Sequence, residues 1–278
     1  MALPKISIAL GAVLLAAGAA AGFFAAKHSG VCAVPKSAEK PSFTATASDP
    51  AATSVSLQIG TQAQPAASAA VPAPVDPNLS VSMNAIGLQE YFRSLNESNA
   101  GTYVVKAGDN LTRISELNGV TVGQILAASG LTDPNKLQVG MKLKIMREKF
   151  DVVVDKSAYT LYLRAAGKTV QTYPIGLGKD NSTPIGAFKV VNKLKNPTWY
   201  HSGKVVPFGD PENPLGTRWL GFDIKGYGLH GTIEPESIGK SESMGCVRMQ
   251  NEHVEALYEL LSVGTPITIV EKLGAARQ

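Results

Sequence analysis

The sequence predicts a mainly β protein, a β-sandwich or barrel-like sheet with a small β-α-α-β unit ahead of it. Residues 150–154 and 159–164 alternate apolar and polar side chains, the period of a strand with one buried face. More β-type runs follow between turn signals, and after residue 150 only one amphipathic helical pattern is evident, at 251–261. Residues 101–146 instead place two short helical patterns between two short strands.

The chain has 278 residues with a net charge of +4, and its aromatic (6%) and charged (17%) fractions are both low, so part of it builds no core. The charge is too small for the dense Lys/Arg footprint of a nucleic-acid binder. Two cysteines, Cys32 and Cys246, exclude a disulfide scaffold and a four-cysteine zinc site. No HExxH and no clustered His/Cys set is present, so neither metal nor cofactor is expected.

Taken in order, residues 1–30 read as an export or membrane segment. Lys5 precedes 21 uncharged residues, 6–26, long enough to cross a hydrocarbon core of ~30 Å. A retained single-pass anchor is the favoured reading. A cleaved signal with a site near Ala17-Gly18-Ala19 is the alternative. Positive charge ahead of the span leaves the N-terminus cytoplasmic and the rest outside. The expected location is the cell envelope, periplasmic or otherwise extracytoplasmic, with the inner membrane as a partner. Cys32 lacks the aliphatic residue three before it that a lipidation signal uses.

Residues 31–95 form an Ala/Pro/Ser-rich linker. Of the 48 residues 33–80, 30 are Ala, Pro, Ser or Thr, too few apolar groups to bury a face, so disorder is expected. At 84–98, Ile86, Tyr91, Phe92 and Leu95 have loose helical spacing, which predicts a short helix packed on the next domain.

The next unit covers 101–147. Gly108-Asp109 is a turn, with Asp109 as helix cap for Leu111, Ile114 and Leu117. Thr121 and Gln124 have capping-box spacing ahead of Val122, Ile125 and Leu126. A strand at 142–145 closes the unit. YVVKAGDNLTRIS at its start and LQVGMKLKI at its end resemble the LysM module. That resemblance implies binding of N-acetylglucosamine-containing glycans, here peptidoglycan.

Residues 149–272 carry the chemistry. Beyond the first two strands, runs at 169–175, 188–191, 219–224, 227–230 and 265–270 read as strands, 196–216 as a long loop, and Asn251 as the cap of the late helix. The informative stretch is HGTIEPESIGKSESMGCVRM, 230–249. A free thiol ionises near pH 8.5, so a nucleophilic cysteine needs a basic or cationic neighbour. His230, at a strand end before Gly231, is the candidate partner of Cys246. Gly245 lets backbone N–H groups approach an oxyanion beside Cys246. Arg248, two residues on, suits a substrate carboxylate. Glu234 and Glu236 read as solvated loop charges.

His-Gly-Thr, a spacer, then Ser-x-Gly-Cys-Val-Arg-Met resembles the YkuD-type L,D-transpeptidase catalytic family. TPIGAFKV, NPTWY, NPLGTRWLGF and ALYELLSVGTPITIV continue the similarity over nearly all of 150–271. The resemblance implies Cys246 as nucleophile, His230 as base, and Ser243 orienting the imidazole through its side chain or carbonyl. Gly231, Thr232, Gly245 and Arg248 support them, with Trp199, Tyr227 and Met244 lining the substrate groove. It implies peptidoglycan cross-linking between third-position stem residues through a thioester, and reaction of Cys246 with carbapenems. An L,D-carboxypeptidase that trims D-alanine, or a non-catalytic wall-binding protein, are the alternatives.

Overall fold

The computed structural model describes residues 86–274. The apolar segment at 6–26, Cys32 and most of the Ala/Pro/Ser-rich linker lie outside them. Among the described residues no helix is long and apolar enough to cross a membrane.

The chain enters through helix α1 (Leu88–Ser94). Tyr91 and Phe92 are buried and meet Phe150 ring to ring at 5.8 and 6.2 Å. The Tyr91 hydroxyl donates to Glu148, and burial beside that carboxylate pushes its ionisation well above the usual tyrosine range. The expected short helix is thus present, and it reaches past the small unit that follows it to Phe150, at the start of the large domain.

The small unit then follows in the predicted order, β1 (Ala100–Val104), α2 (Leu111–Asn118), α3 (Val122–Ser129) and β2 (Lys142–Met146), with β1 and β2 antiparallel. Leu111, Ile114, Ile125, Leu143 and Ile145 make its core. Leu117 does not join them: it is 66% exposed. The N-cap of α2 is Asn110, which accepts from Arg113 N at 2.8 Å. Asp109 instead accepts from the Tyr103 hydroxyl and Lys106 N, closing the turn before the helix. The capping box at Thr121 and Gln124 forms as the spacing predicts.

Those two capping residues also join the domains. Gln124 Nε2 donates to Leu260 O at 2.7 Å and Thr121 Oγ1 donates to Glu259 O at 2.6 Å. They satisfy carbonyls that a helix end leaves without intrahelical partners. Gly123 lies against the same turn, and a Cβ there would sit 2.8 Å from Glu259 Cβ. Gly123→Val is therefore expected to overpack this junction and cost about 1–3 kcal/mol. Chemical denaturation of the full chain checks it, and an unchanged midpoint would contradict the packing argument.

The large domain is one eight-stranded sheet. Its strands are β3 (Phe150–Asp155), β4 (Thr160–Ala165), β5 (Lys168–Pro174), β7 (Gly186–Lys195), β10 (Arg218–Phe222), β11 (Gly228–His230), β13 (Val247–Arg248) and β14 (Pro266–Val270). Their spatial order is β13-β11-β10-β7-β14-β3-β4-β5, antiparallel except for β11–β13 and β14–β3. Short strands β6 (Leu177–Gly178) and β12 (Ser241–Ser243) pair beside it. Helix α4 (Asn251–Leu260) packs on the sheet through Val254, Leu257 and Leu260. The architecture is mainly β, with the small β-α-α-β domain ahead.

Two local expectations change. The long loop at 196–216 contains a hairpin, β8 (Trp199–His201) and β9 (Lys204–Val206). Buried Asn213 pins it, donating through Nδ2 to Pro197 O and Val206 O at 2.9 and 3.1 Å. Asn251 does not cap α4: it is the first helical residue, and its side chain is used elsewhere.

Candidate active site

Register brings the two ends of the 230–249 motif together. β11 and β13 run parallel, with Leu229 opposite Val247 and His230 opposite Arg248. Cys246 is the residue just ahead of β13. His230 and Cys246 are each 1% exposed. Trp219, fully buried, links them: it clusters with Cys246 and Leu215, and its ring stacks on His230 at 6.0 Å and 21°. Gly228 makes room for this indole, since a Cβ there would meet Trp219 Cζ2 at 3.0 Å. The sequence motif alone does not single out Trp219.

The imidazole is oriented. Its Nδ1 lies 2.6 Å from Gly231 O. A carbonyl only accepts, so Nδ1 carries the proton, and in the neutral ring Nε2 presents a lone pair. Nε2 is buried without a hydrogen-bond partner among the described residues. That is the atom a base would use. The Cys246 thiol donates to Gly226 O at 3.4 Å in this conformation.

Ser243 supports the site in a different way from the one expected. Its Oγ donates to Cys246 O at 2.7 Å and accepts from Gly245 N at 3.1 Å. With both functions of the hydroxyl spent on the nucleophile turn, Gly231 O rather than Ser243 Oγ sets the imidazole. The same bonds occupy the Gly245 N–H, one of the backbone donors beside Cys246. Gly245 has φ 126°, a conformation L side chains rarely adopt, and the Tyr227 ring packs against it. Trp199 and Met244 pack against the Cys246 cluster. Trp199 and Tyr227 thus flank the nucleophile turn, and Met244 lies within it.

Thr232 and Gly231 are held from α4. Asn251 Oδ1 accepts from Thr217 N and Thr232 N, both at 3.2 Å, and Asn251 Nδ2 donates to Thr232 O at 2.9 Å. Thr232 Oγ1 in turn accepts from Glu234 N at 2.9 Å. Glu234 is not a free loop charge: it binds Arg248 Nη1 at 2.7 Å. Arg248 is only 12% exposed, and its Nε is buried without a partner. Glu236 is exposed, as expected. Of the other described histidines, His201 stacks on Trp199 at 5.1 Å and His253 packs on Tyr173 at 5.1 Å.

Both segments match known families. Residues 149–269 match the L,D-transpeptidase catalytic domain and residues 103–145 match the LysM domain. YqjB of Bacillus subtilis strain 168, named as an L,D-transpeptidase, is 42% identical over 126 residues, 43% of this chain and 70% of that protein. YkuD of the same strain, also so named, is 33% identical over 185 residues, 60% of this chain and 98% of that protein. The crystal structure of L,D-transpeptidase 3 from Mycobacterium tuberculosis covers 48% of this chain and 67% of its own at 19% identity and a TM-score of 0.39. A chain that spans nearly the whole of one such relative at this identity, with its LysM domain ahead of the catalytic one, belongs to the L,D-transpeptidase family.

Proposed function

We propose that the protein cross-links peptidoglycan through a thioester on Cys246. The observation that carries this is a buried imidazole, held with the Cys246 thiol around Trp219, whose Nδ1 proton is fixed on Gly231 O, which leaves Nε2 to take a proton. Cys246 turns from Gly226 O toward His230 and loses its proton to Nε2. The thiolate attacks the carbonyl carbon of the third stem residue, and the N–H of Cys246 holds the oxyanion. The C–N bond to D-alanine breaks as His230 returns the proton to the leaving amine. The amine of a neighbouring stem then attacks the thioester. His230 takes its proton, and the thiolate leaves to be reprotonated.

The LysM domain holds glycan strands of the same polymer. The N-terminal apolar segment tethers the enzyme to the inner membrane, and the linker gives it reach into the wall. Mass spectrometry of tetrapeptide muropeptides incubated with the full chain tests the reading. Dimers support it. Free D-alanine with monomers only would make the enzyme a carboxypeptidase. No change, with wild type matching Cys246→Ala, would leave a wall-binding protein.

Arg248 serves a carboxylate of the donor stem and must share its guanidinium with Glu234. An exposed ion pair contributes about 0.2–1 kcal/mol. Glu234→Gln is therefore expected to lower KM for the donor up to about fivefold at unchanged kcat. A raised KM would show that Glu234 orients Arg248 rather than competing with substrate.

A further inference from the structure

Beneath the nucleophile turn lies a second turn, tied to a buried lysine that the chemistry above does not use. Lys156 is 5% exposed. Its Nζ donates to Thr183 O at 2.9 Å and to Asn181 Oδ1, and lies 3.4 Å from the Glu271 carboxylate. The turn it grips is strained. Asp180 and Asn181 are consecutive non-glycine residues with φ of 52° and 56°. Thr183 Oγ1 closes the turn by accepting from Gly178 N at 2.8 Å. Gly178 rests directly on the residue before the nucleophile: a Cβ on it would lie 2.6 Å from Gly245 Cα and 2.8 Å from Gly245 N. A Cβ on Gly245 would likewise lie 3.2 Å from Ser182 O.

We propose that Lys156 is a positioning residue for acyl transfer, holding the strained 179–183 turn against Gly245 so that the backbone at Cys246 meets the oxyanion. The inference rests on the thiol acyl-transfer reading above. A buried ammonium is costly unless its donors are engaged. Here two of its acceptors are on a single turn that supports the nucleophile. Oxyanion stabilisation depends on donor placement within a few tenths of an ångström of hydrogen-bond distance, so loosening that floor acts on chemistry rather than on binding.

Two reagents separate positioning from general damage. A carbapenem reacts with a thiolate at a carbonyl and builds an oxyanion; iodoacetamide alkylates the same sulfur by displacement at a saturated carbon and builds none. Intact-mass kinetics on the full chain is expected to show Lys156→Met slowing carbapenem acylation about 10–100-fold, with alkylation of Cys246 changed less than about twofold. Lys156→Arg should recover part of the loss. Asn181→Gly, which relieves the backbone and removes the carboxamide, should show a smaller loss of the same selective kind, and it decides the matter if Lys156→Met does not fold. A parallel fall in both rates, or a fall in neither, overturns the proposal. A wild-type chain that forms no adduct at Cys246 instead sinks the acyl-transfer reading and takes this inference with it.

Discussion

Cys246→Ala is expected to abolish cross-link formation, a loss on the order of 10⁴-fold or more, because no other described side chain can supply the nucleophile in this cluster. Carbapenem adducts should vanish with it. The side chain is small and buried among Leu215, Trp219 and Met244, so losing its sulfur leaves only a minor cavity. The unfolding midpoint should therefore move by no more than a few degrees. Muropeptide analysis and intact mass give the activity, and a thermal melt gives the fold. Residual dimer formation by a folded Cys246→Ala chain would place the nucleophile elsewhere. His230→Gln should lose nearly as much, since it removes the Nε2 lone pair while keeping a side chain of similar size.

Asn251→Leu carries the second large effect, and it acts on stability and rate together. The carboxamide satisfies Thr217 N, Thr232 N and Thr232 O at once. Removing it strands partly buried backbone groups, each costing about 1–3 kcal/mol unless water reaches them. A total of about 2–4 kcal/mol in denaturant titration is the expected result. The rate should fall as well, on the order of 100-fold. The segment released contains Gly231, whose carbonyl fixes the imidazole tautomer. The loss should appear in kcat more than in KM. Asn251→Asp keeps the acceptor and loses the donor, so it should fall between. A leucine variant that is both as stable and as active as wild type would refute the latch.

Much of this was legible in the chain because it is written in local patterns. Alternation gave the strands at 150–154 and 159–164 within a residue or so of their ends. Thr121 and Gln124 announced their capping box at a spacing of three. The His-Gly-Thr and Ser-x-Gly-Cys stretches pointed to the residues that β11 and β13 bring side by side. The misreadings share a cause. Asn251 opens a helical pattern and so looks like a cap, yet its partners sit 19 and 34 residues away. Ser243 stands where an imidazole partner is expected, but a turn of four residues consumes its hydroxyl. Glu234 has the exposure of a loop charge and is nonetheless paired, because the chain folds back to Arg248. The hairpin at 199–206 hides among prolines and glycines that read as plain loop. Lys156 gives no local sign of being buried, since its ligands come from a turn about 25 residues later and from beyond the last strand.

The junction of α3 with the end of α4 has a consequence for how the enzyme meets its polymer. Only Arg147, Glu148 and Lys149 separate β2 from β3, and Gln124 and Thr121 bolt the two domains together from the other side. On the function proposed above, a sugar grip and a sulfur nucleophile so joined keep a constant separation, like the jaws of a caliper. The search that a floppy tether would impose after each landing is already complete when the glycan is seated. The same rigidity makes the landing selective: a stem projecting from the strand at the wrong phase stays out of reach of Cys246 until the protein lets go and settles elsewhere along the chain.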